Sequence, residues 1–145
     1  MDWEGYEKKC DEIREENKRY LEIFSEDLKR LSNKTIRTHL ENVDYYINVY
    51  LPREDALSME SGVDYIDSFL GYYFIRKCMW STPSTIKSNA ASIKQFYKSM
   101  MDHGFIAKES YEHLCSVIKE NIEIWQEDCA IYNDPDADSS FDIWR

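Results

Sequence analysis

Apolar side chains recur at every third or fourth position over most of this chain, and this periodicity limits the possible folds more than any other feature. Residues three and four apart share one face of an α-helix, so the pattern indicates amphipathic helices. Only 4 glycines and 3 prolines occur among 145 residues, which argues against a β-sandwich or barrel with many tight turns. We therefore predict an all-α fold, a compact bundle of four to five helices with an extra N-terminal helix.

The first half of the chain contains three apolar series of helical spacing. The first covers residues 2–31, and Ser25 within it has the chemistry to start a shorter second helix. The next is expected to begin after Ser32 and to end at Pro52, which cannot continue a helix. A third series covers residues 63–78 and is mostly apolar.

The second half has clearer helix boundaries. Thr82 and Pro83 form a helix start, since a hydroxyl caps free amides and proline suits the first turn. Gly104 is expected to end this helix, because glycine readily adopts the left-handed conformation found there. A last helix is expected from about Ser110.

Charge and hydropathy limit the classes of function. The chain has 28 acidic and 18 basic residues, a net charge of −10, although residues 81–119 carry more bases than acids. A duplex-binding protein normally has a basic surface, so only part of this chain fits that role. No stretch approaches the roughly 18 apolar residues of a membrane span, and the charged N-terminus lacks a signal-peptide core. We expect a cytoplasmic protein that does not contact membranes.

Two of the predicted helices have a similar sequence pattern. Thr35, Ile36 and Arg37 recur 50 residues later as Thr85-Ile86-Lys87, and the following apolar positions also correspond. Two interpretations remain open: a genuine internal repeat, or the chance alignment of two amphipathic helices.

The order of these helices, their caps and their apolar positions form one pattern, which is carried by Ser32, Thr35, Ile36, Arg37, Ser84, Thr85, Ile86, Lys87, Ile93, Lys94, Phe96, Tyr97, Gly104, Phe105 and Ile106. This pattern resembles the N-terminal core-binding domain of tyrosine recombinases, the phage-integrase class. The likeness covers about residues 19–130. It implies a SAM-like integrase N-terminal fold that grips one face of double-stranded DNA, with the helices at 33–51 and 83–103 facing the duplex.

The resemblance and the surface chemistry together suggest a set of DNA-contacting residues. Carried over by position, the candidates are Asn33, Lys34, Thr35, Arg37, Thr38, Ser84, Thr85, Lys87, Ser88 and Lys94. Lys98 joins them because Lys87, Lys94 and Lys98 share one helical face. Lysines and small polar residues suit phosphate and groove contacts, although the same pattern also describes an ordinary solvated face.

We do not expect enzymatic activity. The family cleaves DNA with a tyrosine, arginines, a lysine and a histidine set in a second domain, and no such set follows the last predicted helix. We predict no catalytic residues, no metal site and no cofactor. Asp134, Asp136 and Asp138 resemble half of a calcium loop, but Ser139 stands where that loop needs glycine.

The N-terminal helix suggests an alternative function in protein–protein interaction or regulation. Its residues Trp3, Cys10, Asn17, Phe24 and Leu31 repeat every seven positions, as in a coiled coil. This surface would meet a second copy of the chain or a recombinase, or would cover its own bundle. The predicted organisation is an acidic helical extension at 1–18, a core-binding-like domain at 19–132 and an acidic flexible tail at 133–145.

Overall fold

The computed structural model describes residues 2–53 and 55–136, and every regular element in this part of the chain is helical. The all-α prediction is therefore confirmed. The elements in chain order are α1 (Trp3–Asp27), α2 (Asn33–Asp44), a π-helical segment (Tyr45–Tyr50), a 3-10 helix (Met59–Asp64), α3 (Ile66–Ser68), a second π-helical segment (Phe69–Tyr73), α4 (Phe74–Lys77), α5 (Pro83–Asp102) and α6 (Lys108–Asn133). None of the helices described combines the length and apolar character of a membrane span.

The predicted boundaries of α5 are confirmed, whereas the predicted break in α1 is wrong. Thr82 caps α5 by accepting the Thr85 N–H at 3.0 Å, and Thr85 Oγ1 accepts the Thr82 N–H at 2.7 Å. Gly104, with φ +81°, follows its end. In contrast, α1 continues through Ser25, because Phe24 and Leu28 are both buried and lie one turn apart on the same face.

Aromatic side chains from the two π-helical segments, α5 and α6 dominate the core. Tyr46, Phe69, Phe96, Tyr97 and Trp125 are each no more than 1% exposed. The two tyrosine hydroxyls reach the 3-10 helix: that of Tyr46 donates to the Gly62 carbonyl at 2.5 Å, and that of Tyr97 to the Met59 carbonyl at 2.6 Å. Both buried hydroxyls thus donate to backbone carbonyls, and these two hydrogen bonds hold the 3-10 helix against the bundle.

The first half of α1 packs over the end of the first π-helical segment. There the Leu51 N–H bonds to the Tyr46 carbonyl, five residues earlier, and Pro52 has no N–H to donate. The Ile47 carbonyl is thereby left without its usual backbone donors. Asn17, only 1% exposed, donates its side-chain amide to that carbonyl at 3.2 Å.

Two other residues of α1, Tyr6 and Arg14, also donate side-chain hydrogen bonds to backbone carbonyls at this place. The Tyr6 hydroxyl donates to the Pro52 carbonyl, and Arg14 Nε donates to the Asn48 carbonyl at 3.4 Å. Within the heptad series, Cys10, Asn17 and Phe24 are buried against this chain's own residues, whereas Trp3 and Leu31 are exposed. α1 also runs without interruption across residue 18, the predicted end of the N-terminal extension.

Candidate nucleic-acid interface

A cluster of polar side chains joins α2 to α5, the two helices predicted to face DNA. His39 Nδ1 lies 2.7 Å from Ser92 Oγ, and Asn42 Nδ2 donates to Ser88 Oγ at 3.2 Å and to Ser92 Oγ at 3.0 Å. Asn42, later in α2 than His39, reaches Ser88, which is earlier in α5 than Ser92. The two helices therefore lie side by side and antiparallel. We call His39, Asn42, Ser88 and Ser92 the polar seam.

The polar seam has a defined protonation state. Burial lowers the pKa of His39, so its imidazole is neutral near pH 7. Ser92 is fully buried, and its hydroxyl oxygen accepts from Asn42 and lies within hydrogen-bond distance of His39 Nδ1. His39 and Asn42 were not predicted from the sequence. The feature that could have indicated them is their position beside Leu40 and Val43, on the side of the helix that carries its apolar residues.

Several hydroxyls predicted to contact DNA are engaged within the protein, namely those of Thr35, Thr38, Thr85 and Ser88. Thr35 Oγ1 accepts from the cap residue Ser32 at 2.9 Å, and Thr38 Oγ1 donates to the Lys34 carbonyl at 3.1 Å. Thr85 belongs to the α5 cap, and Ser88 to the polar seam. The Thr38 hydroxyl donates its hydrogen within the protein, whereas the Thr35 and Ser88 hydroxyls act there as acceptors. Ser84 and Asn33 are exposed.

The first turn of α5 offers little free backbone to an anion. Pro83 has no N–H, and the Thr85 N–H is bonded to Thr82. Among the described residues of this turn, that leaves the Ser84 N–H for a phosphate oxygen. The positive end of the helix dipole is still present there, but the amide donors that usually accompany it are mostly used.

The predicted basic residues remain available to solvent. Lys34, Arg37, Lys87 and Lys94 are exposed, and none lies within 4.0 Å of a carboxylate in the described part of the chain. Lys98 differs, because its ammonium pairs with Asp102 at 3.2 Å. Within the part of the chain that the structure describes, the outer surfaces of α2 and α5 thus carry four unpaired cations and one paired cation.

The bases on α5 lie on the flank that faces away from α2. At about 100° per residue, Lys87, Lys94 and Lys98 fall within about 40° of arc, and all lie roughly 80–120° from Ser88, which contacts α2. The positions between them and α2 are uncharged, including Ser84 and Gln95. The structure therefore brings the α2 and α5 bases onto neighbouring helices without merging them into one cluster.

A carboxylate interrupts the basic surface of α2. Glu41 is exposed and follows Arg37 by four residues and Lys34 by seven, so all three share the outward face of the helix. Asp44 is also exposed, and its Oδ1 accepts from Asn48 at 2.7 Å. The local positive potential is consequently stronger on α5 than on α2.

One cluster combines serine, aspartate and histidine but lacks the arrangement of a catalytic triad. Asp27 Oδ2 accepts from Ser99 Oγ at 2.6 Å and lies 3.0 Å from His103 Nε2. A nucleophilic triad places histidine between serine and aspartate, whereas here aspartate is in the middle. The Ser99 hydrogen bond, with His103 beside it, lowers the pKa of Asp27, and the cluster fastens the end of α1 to α5.

No group of three or more histidine, cysteine or acidic residues in the described ranges is arranged to hold a metal ion. Of the calcium-like series, Asp134 accepts the Asp136 N–H at 2.9 Å, and Asp138 lies outside the described residues, as does most of the predicted tail.

Comparison with family models, with curated proteins and with solved structures found no match to this chain.

Proposed function

We propose that this protein binds double-stranded DNA through the outer faces of α2 and α5. The observation that carries the proposal is the polar seam, which holds the two helices side by side. Lys34, Arg37, Lys87 and Lys94 stay exposed, with no ion pair to a carboxylate of residues 2–53 or 55–136. On this account the lysines and Arg37 contact phosphates. Uncharged residues between the two groups of bases lie against the duplex and need little desolvation.

The expected binding is weak and depends on salt. Four phosphate contacts give a slope of about −4 for log affinity against log salt concentration, and nonspecific dissociation constants are roughly 10⁻⁴ to 10⁻⁶ M. The net charge of −10 opposes approach of the duplex except where the α5 lysines face it.

The resemblance to the core-binding domain of tyrosine recombinases supplies the biological context of this proposal. In that context the chain contributes DNA contact during recombination or integration and contributes no chemistry of its own. Strand cleavage would then be carried out by a catalytic domain of the recombinase type. The resemblance assigns no part of that domain to the described residues. The SAM-like classification of the bundle is part of the same proposal.

Charge reversal on α5 tests the proposal. Fluorescence anisotropy with a labelled duplex at about 50 mM and 200 mM salt measures affinity and its salt dependence. We expect Lys87→Glu/Lys94→Glu to weaken binding at least tenfold. Lys8→Glu/Lys9→Glu, on exposed residues of α1, makes the same change in net charge and is expected to weaken binding far less. Equal losses in both variants, or no binding by the unaltered protein, would reject the α5 surface.

The alternative is a protein-interaction or regulatory module that does not bind DNA. It is favoured by Glu41, which shares a face with Lys34 and Arg37, and by the pairing of Lys98 with Asp102. A second copy of the chain, or a recombinase docked on α1, would be its partner. Absence of DNA binding at the lower salt concentration would favour this alternative over the proposal above.

A further inference from the structure

The loop between α4 and α5 exposes two large apolar side chains. Met79 is 100% exposed and Trp80 is 56% exposed. Trp80 is nevertheless held in position, because its ring makes edge contacts with Tyr45, at 6.0 Å between centroids, and with Phe74, at 6.4 Å. A fixed, exposed tryptophan next to a methionine is typical of a binding surface. Covering it removes apolar area from water with little loss of conformational entropy, because the side chain is already held in position.

Two cations border this apolar pair. Arg76 and Lys77 form the last turn of α4. The Arg76 guanidinium lies 4.1 Å from the centre of the Tyr72 ring, and neither cation pairs with a carboxylate in residues 2–53 or 55–136. We call Arg76, Lys77, Met79 and Trp80 the loop patch. Its chemistry suits a segment that combines apolar and acidic residues.

The end of α6 lies directly beside the loop patch. Asn133 Nδ2 donates to the carbonyl of Ser81, the residue after Trp80, at 2.7 Å, and the Arg76 guanidinium lies 5.5 Å from the centre of the Tyr132 ring. The chain then continues into residues 137–145, which contain Phe141, Ile143 and Trp144 together with the two aspartates Asp138 and Asp142. Nine residues span up to about 30 Å when extended, enough to reach every part of the loop patch.

We propose that residues 137–145 dock on the loop patch, with the apolar side chains of residues 141–144 against Met79 and Trp80. The aspartates of the segment would lie near Arg76 and Lys77. A free peptide of this composition would bind weakly, but a tethered segment meets a neighbouring surface at an effective concentration on the order of millimolar. This contact is independent of the DNA-binding proposal and uses different residues.

Fluorine NMR of the full chain labelled with 5-fluorotryptophan tests this contact. The protein has four tryptophans, of which Trp3 is 69% exposed and Trp125 is 1% exposed. They serve as the exposed and buried references for relaxation by a soluble gadolinium chelate. We expect Trp80 to relax more slowly than Trp3, and we expect its relaxation to become faster in Phe141→Ser/Ile143→Ser and in a chain ending at Asp136. Ser139→Ala is the matched control and should keep the protection.

An unaltered chain in which Trp80 relaxes as fast as Trp3 would overturn the proposal. Relaxation of Trp80 that is unchanged by removal of residues 137–145 would also overturn it. If the protection of Trp80 in the shortened chain grows with protein concentration, a second copy of the chain covers the loop patch instead. The Trp125 signal shows whether each variant remains folded.

Discussion

The side chain of Asn17 supplies a hydrogen bond that the backbone cannot make at the end of the first π-helical segment. Its amide donates to the Ile47 carbonyl at 3.2 Å and to Asn48 Oδ1 at 2.8 Å. Asn17→Leu would leave a buried carbonyl without a donor, and we expect a loss of about 1–3 kcal/mol in the free energy of unfolding. Urea denaturation measures this loss. Lys18→Leu, on the exposed neighbour, should stay within about 0.5 kcal/mol of the unaltered protein.

His39 makes the stability of the α2–α5 contact depend on pH. Its pKa is lowered in the folded state, so the unfolded chain binds the proton more readily. The stabilisation is therefore complete above the unfolded value of about 6.5 and declines as pH falls through that value towards the folded pKa.

We expect His39→Gln, which cannot be protonated, to lose less stability than the unaltered protein between about pH 7.5 and pH 5.5. Urea denaturation at both pH values measures the difference. The low pKa of Asp27 acts in a separate window, below about pH 4, and so contributes little to this comparison. Identical pH dependence in the two proteins would show that His39 is not the responsible group.

At the scale of elements, the sequence predicts helices where local chemistry determines them. The start of α5 follows from Thr82 and Pro83, and its end from Gly104. The π-helical segments could not be predicted, because Pro52 marks only where helical bonding must stop. The Ile47 carbonyl, which loses its usual backbone donors there, accepts instead from Asn17 of α1, 30 residues away in sequence. Likewise, Ser25 is a good cap in isolation, but packing of Phe24 and Leu28 keeps α1 continuous.

The 3-10 helix requires glycine at residue 62. A Cβ there would lie 2.1 Å from the Tyr97 hydroxyl oxygen and 2.9 Å from Leu51 Cδ1. Tyr97 cannot move away easily, because it is fully buried and bonded to the Met59 carbonyl. We expect Gly62→Ala to destabilise the protein by about 1–3 kcal/mol, measured by urea denaturation.

A double-mutant cycle separates the steric origin of this cost from an effect on backbone flexibility. Tyr97→Phe removes the oxygen that the new methyl group would meet, so Gly62→Ala should cost less in that background. Equal costs in both backgrounds would mean that the Tyr97 contact is not the cause.

At the scale of the whole molecule, the candidate site was predictable in part. The sequence indicated that two similar helices carry bases, and the structure brings α2 and α5 into contact. Helical periodicity also placed Lys87, Lys94 and Lys98 on one face. It could not predict that this face lies away from α2, because that depends on which side of α5 the polar seam occupies. Nor could it predict which hydroxyls are used internally.

Charge is also distributed unevenly over the molecule. The five bases and three acids of residues 81–119 contrast with the net charge of −10 for the whole chain. If the chain binds DNA as proposed, a duplex would approach with α5 foremost, because the more acidic remainder of the chain repels it.

NMR mapping of the DNA contact surface is the most direct test of DNA binding through α2 and α5. Amide chemical shifts of the isotope-labelled protein are followed as a short DNA duplex is added at low salt. We expect the largest changes on the outer faces of α2 and α5, at Lys34, Arg37, Ser84, Lys87 and Lys94. Changes confined to other elements, or no changes at all, would contradict the proposal.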